Sequence, residues 1–436
     1  MTSAGAIAEP SLGDPPAPLS DARRLQAFAF GGWLLVLMNF SGPAGGMIDI
    51  PVTFFLKNRM HLHSNELAVF KLWIGLPLIL GFVFGFIRDR WSPFGGGDRA
   101  HLLVFGVLTA LIYGAMAFAS PTYLVFLGGL FVATMAFRMV SSAAYGITNT
   151  LAQKHAVSGQ MSSVISIASA LPDLLSFMAG GLLSQTLEGQ GAAAAARILF
   201  FCAAGLMLAI ALLGILGPKW VFDEAREPLT VAHPLEDLKR IARHWPIYPA
   251  MLIQLLWQFA PAAGTVLQYH IVDHLHATDA QWGAWQGIFF GSFLPVYVLY
   301  GWLSQKVALR RLLWVGFGLA VFQMAPLLLV HDAVGALIAA VPMGILGSVA
   351  QVALVDLVIR SAPRGCQATM MMLFLAFYYF SVRAGDLLGT WIYDKHGGFI
   401  PTVVVTIIVY AMILPVILLV PARLTATKDG EMIASS

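Results

Sequence analysis

Residues 81–99 read GFVFGFIRDRWSPFGGGDR. An apolar run stops at Arg88. Gly85 is followed four residues later by Asp89 and Arg90, then by a Trp-Ser-Pro-Phe-Gly-Gly-Gly turn, then by Asp98 and Arg99, and the next apolar run begins at once. The hydrocarbon core of a bilayer is about 30 Å thick, so a crossing helix needs about 20 apolar residues. The runs on either side of this loop have that length. The stretch therefore reads as a short charged hairpin between two membrane-spanning helices.

The rest of the chain repeats the pattern. Apolar residues make up 58% of 436 and charged residues 11%, and the mean hydropathy is +0.79. Twelve runs of spanning length fall at 27–50, 66–87, 101–119, 122–149, 161–186, 195–217, 247–270, 281–303, 312–330, 333–358, 367–392 and 400–421. A segment facing lipid must satisfy its own backbone hydrogen bonds, so these runs predict helices, and their Gly and Pro residues are tolerated there. A barrel would show alternating segments of about 10 residues instead. The fold class is an all-α integral membrane protein.

The net charge of +3 follows topology and gives no reason to invoke nucleic acid. With the N-terminus placed in the cytoplasm, the outer side holds only Lys57, Arg59, Arg197 and Lys395. Lys71, Arg138 and Arg383 fall inside apolar runs. The rest of the 25 basic residues lie on the inner side. This bias predicts an inner-membrane protein with both termini cytoplasmic. The two cysteines, Cys202 and Cys366, make neither a disulfide framework nor a metal cluster. Residues 1–26 read as a disordered tail, rich in Pro, Ala, Gly and Ser at its start. It is not a signal peptide, because Arg23 and Arg24 precede a full-length run with no small-residue cleavage site after it.

The two halves echo each other. Pro43-Ala44-Gly45-Gly46 recurs as Pro261-Ala262-Ala263-Gly264, and His61-Leu62-His63 as His274-Leu275-His276. Gly85-x-x-x-Asp89-Arg90 recurs as Gly301-x-x-x-Gln305-Lys306, and Gly159 as Gly365. Four echoes in one order predict two parallel, pseudo-symmetric six-helix halves, at 27–217 and 247–421. Residues 218–246 would join them as a cytoplasmic linker with a short amphipathic helix. Residues 422–436 would form a cytoplasmic tail.

The 81–99 hairpin resembles the loop between helices 2 and 3 of the major facilitator superfamily, whose pattern is G-x-x-x-D-[RK]-x-G-[RK]-[RK]. Gly85, Asp89 and Arg90 match its first half, and the longer W-S-P-F-G-G-G-D-R turn replaces the second. The resemblance implies a carrier that works by alternating access. It also implies that Gly85, Asp89, Arg90 and Arg99 form a latch, pairing across the halves and meeting a helix end when the carrier faces outward. Around helices 10 and 11 the chain reads DLVIRSAPRGCQAT and later RAGDLLGTWIYDKHGG. This is similar to the folate-biopterin transporter branch. FFLKNRMHLHS and the 81–99 loop fit that branch and also the sodium/melibiose-type sugar symporters.

Charge inside a membrane is costly, about 2.5–3.5 kcal/mol per residue on insertion scales, and usually marks an interior site. Asp49, Arg138, Asp173, Arg383 and Asp386 lie within apolar runs. Arg383 and Asp386 are three residues apart and so share a face. Arg138 and Arg383 could hold an anionic group in a two-pronged geometry. Asp49, Asp173 or Asp386 could carry a coupling proton. The alternative is a set of interhelical salt bridges that hold register. Tyr145, Gln258 and Tyr379 head a group of aromatic and amide residues that suits a flat heterocycle or a sugar equally well. His270, Asp273, His274, His276 and Asp279 invite a metal, but the echo at His61 and His63 argues for an outer-loop pattern and no metal.

There is no G-x-x-x-x-G-K-[ST] loop, H-E-x-x-H or G-x-S-x-G. The expectation is therefore no enzyme, no cofactor and no direct use of ATP. The reading is a secondary transporter for a small organic solute, anionic or pterin-like, coupled to protons. A sodium- or proton-coupled sugar symporter is the alternative. A non-transporting assembly factor for pigment complexes is another, because the folate-biopterin branch lies near such proteins.

Overall fold

The computed structural model describes residues 19–43, 46–56, 60–62, 64–120, 122–188, 192–225, 239, 241–395 and 397–431. Helices α1 (Asp21–Phe40) and α2 (Gly46–Phe54) make the first span, and α3 (Ser64–Ile79) and α4 (Gly81–Arg90) the second. The third to sixth are α5 (Gly97–Phe118), α6 (Tyr123–Lys154), α7 (Ser158–Glu188) and α8 (Ala192–Leu216). A short α9 (Lys219–Ala225) opens the connection between the halves. The seventh span is broken into α10 (Ile247–Gln258) and α11 (Gly264–Tyr269). Then come α12 (Asp279–Leu303), α13 (Leu309–Ala320), α14 (Ala333–Ser361) and α15 (Gln367–Lys395). The last span is α16 (Phe399–Ala411) with α17 (Ile413–Ile417), and α18 (Ala422–Thr425) follows it. Nine helices among the described residues are each long and apolar enough to cross a membrane.

Helix starts follow local chemistry. Thr122 Oγ1 accepts from Val125 N at 3.4 Å, and Asp332 Oδ1 from Gly335 N at 2.7 Å. Thr278 and Gln281 form a reciprocal capping box. Ser20 caps α1, which therefore begins at Asp21, inside the stretch expected to be a disordered tail. Residues 1–18 of that tail, residues 226–238 and 240 of the linker, and residues 432–436 lie outside the described residues.

Breaks in the spans are satisfied from neighbours, as a lipid-embedded chain requires. Pro172 has no N–H to give the Ala168 carbonyl four residues back. Asn39 Nδ2 of α1 donates to that carbonyl instead, at 3.0 Å. In the broken seventh span, Ala262 N donates to Thr406 Oγ1 at 3.0 Å. Gly264 takes a left-handed φ of 59°, and Thr265 N donates to Asp386 Oδ1 at 2.8 Å.

The halves meet mainly where α7 packs along α12 and where α4 packs along α15. The repeat is visible in the backbone, with its register shifted from the sequence echo. His61 and His276 both have positive φ, near 53° and 54°. Met60 N and Leu62 N reach back to Phe55 O and Leu56 O, just as Leu275 N and Ala277 N reach back to His270 O and Ile271 O. His61 therefore corresponds to His276, not to His274. In the same way the left-handed turn at Ala156 before α7 corresponds to Gly365 before α15. Their first helical residues, Ser158 and Gln367, correspond in turn.

Candidate functional site

A polar layer lies at the middle of the bundle. Arg138 comes from α6 and is only 3% exposed. Its Nε and Nη2 have no hydrogen-bond partner among the described residues. Its guanidinium sits over the Tyr379 ring of α15, 5.5 Å from the centroid, and so reaches from one half to the other. Tyr145, two helical turns along α6, lies within electrostatic reach of Arg138, Tyr379 and Asp173. Asp173 of α7 also lies within reach of Tyr297 on α12 and Tyr378 on α15. It makes no hydrogen bond or ion pair among the described residues.

On α15, Tyr379, Arg383 and Asp386 follow at spacings of four and three and share one face. Tyr379 meets Arg138, and Asp386 meets Thr265, so this face points into the bundle. Arg383 lies on that face between them, and its side chain is exposed. Gln258 joins a small amide network. Its Nε2 and Trp257 Nε1 both donate to Gln351 Oε1, at 3.2 and 2.7 Å. Gln254 Oε1, one turn away, is buried with no donor among the described residues.

Two expected site residues are engaged elsewhere. Asp386 does not pair with Arg383. Its carboxylate accepts from Thr265 N at 2.8 Å and Thr265 Oγ1 at 2.9 Å, and so caps α11 across the break. Gly385 and Gly389 flank it because a Cβ at either would run into the backbone of Phe259–Pro261. This explains the GDLLG pattern as helix packing. Asp49 pairs with Lys71 at 3.4 Å, both about one-quarter exposed, between α2 and α3 at the opposite end from the termini. His270 stacks on Phe399, with ring centroids 3.8 Å apart.

The end of the bundle that carries Asp21 and α18 is rich in basic residues and is here called the basic end. Asp89 Oδ2 accepts from Thr369 N at 2.8 Å and Thr369 Oγ1 at 2.6 Å, capping α15 of the other half. Gly85 makes the approach feasible, since a Cβ there would stand 2.8 Å from Ala368 O and Thr369 Cα. Gln153 Nε2 of α6 donates to Ile359 O and Ala362 O at 2.5 and 2.8 Å, and Gln367 Nε2 donates to Gln153 Oε1 at 3.0 Å.

The hairpin cation that supports this closure is Arg88, which sequence reasoning missed. It lies against Gly146 and pairs with Asp89 at 2.9 Å and with Asp98. Arg99 does not cross the halves. Its guanidinium donates to Gly217 O at 3.0 Å and covers the Phe222 ring at 4.5 Å, because the long turn carries it toward α8 and α9. Arg90 lies over Phe86. The signal for Arg88 was present in the repeated charge of RDR and GDR, but spacing alone could not tell which arginine turns inward.

These elements and their order match known architecture. A solved major facilitator superfamily transporter, FucP, in the outward conformation, aligns with a TM-score of 0.69 at 16% identity. The alignment covers 90% of this chain and 98% of that one. The proton:xylose symporter XylE, bound to 6-bromo-6-deoxy-D-glucose, aligns with a TM-score of 0.66 at 14% identity, over 95% of this chain and 99% of that one. This chain has the major facilitator fold. No protein-family model matches the sequence, and no curated protein sequence does. The fold makes the molecule a multi-pass membrane protein of twelve spanning segments in two halves, and the likeness ends at the fold.

Proposed function

We propose that this protein is a secondary transporter that moves a small organic anion across the bacterial-type inner membrane by alternating access, with its basic end in the cytoplasm. The observation that carries the reading is Arg138. A guanidinium stays charged, and burying it with two donors unsatisfied is costly unless an acceptor arrives. Its place between the halves, beside Tyr145, Tyr379 and Asp173, is where a carboxylate-bearing solute would bridge them. Arg383, on the same face of α15 as Tyr379, would take a second acidic group. The tyrosines offer flat faces, which favours a pterin-like ring. Asp173, with no partner among the described residues, is the carboxyl free to carry a coupling proton.

A sugar symporter is the second reading. The Trp257–Gln258–Gln351 network suits hydroxyl groups, and the XylE structure is a sugar-bound neighbour of the same fold.

A thermal-shift screen of the purified protein tests both. The panel holds folates and pterins, dicarboxylates, amino acids and neutral sugars, at acid and neutral pH. Ligands that bind the native state raise the melting temperature by mass action. The expected result is a shift from an anionic compound that disappears in Arg138→Met and Arg383→Ala. A shift from a neutral sugar that survives both substitutions would overturn the anion reading in favour of the symporter.

A further inference from the structure

The repeat predicts two helix caps at the basic end, and only one is built from its own hairpin. Asp89, in the hairpin after the second span, caps Thr369, the third residue of α15. The corresponding position in the other half is Gln305, which lacks a carboxylate and folds back onto Gly301 O at 2.9 Å. The third residue of α7, Gln160, is nevertheless capped. Asp429, from the segment after α18, accepts from Gln160 N at 2.8 Å and from Gly159 N at 2.9 Å.

Asp429 has crossed from the second half to the first to do so. On its own side it is held by Arg360 Nη2 at 3.2 Å and by Ser304 Oγ at 3.2 Å, and its N–H donates to Ser304 O at 3.0 Å. Arg360 also donates to Thr427 O at 2.9 Å and pairs with Asp356 at 2.7 Å. Gly430 N then donates to Ala156 O of the first half at 2.7 Å. Each cap thus has one arginine shared with a second aspartate: Arg88 with Asp89 and Asp98, Arg360 with Asp429 and Asp356.

We infer that the segment Thr427–Gly430 is a clasp that holds the basic end shut, with Asp429 as its positioning residue, replacing the carboxylate that the repeat lacks at Gln305. Opening the basic end requires α7 to part from α12 and α14, which breaks the Gly159, Gln160 and Ala156 bonds while Arg360 and Ser304 retain the segment. The clasp rests on the alternating-access reading for its purpose, though not for its detection. Burial and the neighbouring Asp356 carboxylate hold the Asp429 carboxyl above the usual aspartate range, against the pull of Arg360 and the two backbone donors.

Cys366, 4% exposed just before α15, reports on this end. The only other thiol, Cys202, is removed as Cys202→Ala. The full-length protein, without substrate, is treated with a maleimide and the rate of Cys366 modification is followed. Asp89→Asn, which loosens the other cap, serves as the opened reference. Asp429→Ala is expected to speed modification at least about tenfold, the ratio that one charge-assisted hydrogen bond sets. Modification of Asp429→Ala at the parent rate overturns the clasp. If Asp429→Ala fails to fold, Asp429→Leu, which keeps the volume and accepts no hydrogen bond, is held to the same criterion. No substrate enters the assay, so a failed clasp and a failed anion site are told apart.

Discussion

Replacing Arg138 by methionine should make the empty protein more stable and abolish ligand binding. Two guanidinium donors are buried without an acceptor among the described residues. Each unsatisfied buried donor costs about 1–3 kcal/mol, so the pair costs about 2–6 kcal/mol. The contact with the Tyr379 ring, 5.5 Å away, returns about 0.5–2 kcal/mol. Methionine matches the length and needs no partner, so the net gain is about 0–5.5 kcal/mol, and about 3 kcal/mol at the midpoints. Unfolding entropy of about 2.1 cal/mol/K per residue over 436 residues gives about 1 °C per kcal/mol. The ligand-free Arg138→Met protein should therefore melt about 3 °C above the parent, and at most about 6 °C, by intrinsic fluorescence in detergent. In the parent, ligand at a hundred times its Kd should add about 2.7 kcal/mol, or about 3 °C, and in the variant nothing. A variant that melts several degrees lower would show that the guanidinium is satisfied within the protein, and the argument for an anion site would fall.

Asp386→Ala should lower the melting temperature by about 3–6 °C, because two charge-assisted bonds to Thr265 are lost at about 1.5–3 kcal/mol each; melting at the parent temperature would rule out the cap. Gly85→Val drives a side chain into Ala368 and Thr369, costs about 1–3 kcal/mol, and should both lower melting and speed Cys366 modification; an unchanged rate would mean that α4 and α15 do not close the basic end. The clasp should also respond to pH. The groups facing Asp429 are Asp356 and Arg360 on α14, Tyr300 on α12, and Arg24, which reaches Gln160 from α1. Because the docked carboxyl lies above its ordinary value of 3.8, its contribution to docking is fully present below that value and is lost as pH rises through the raised one. Amide hydrogen exchange at Gly159 and Gln160, corrected for the intrinsic pH dependence, should show protection falling across that window in the parent and staying flat in Asp429→Asn; equal profiles would refute the linkage.

What could be read in the chain follows the range of the physics. Spanning length and the doubling of the fold are local or periodic, and the sequence by itself determined them. So was the list of costly intramembrane charges, since cost depends on residue type and depth. The partner of each charge was not legible. Arg383 and Asp386 share a face and still do not pair, because the break at Pro261–Gly264 brings an unsatisfied N–H to Asp386. Arg99 and Arg88 look alike in the hairpin, and only the docking of α4 on α6 turns Arg88 inward. The register of the echoes also moved, from His274 to His276 and from Gly159 to Ala156, because left-handed turns can be made by different residue types at equivalent places. Asp429 is the clearest case. Nothing near it in sequence marks it, and its role exists only because folding brings the end of one half to the start of a helix in the other. Hydropathy is summed along the chain, whereas a cap across the halves is a meeting of ends far apart in sequence, which the tertiary structure alone decides.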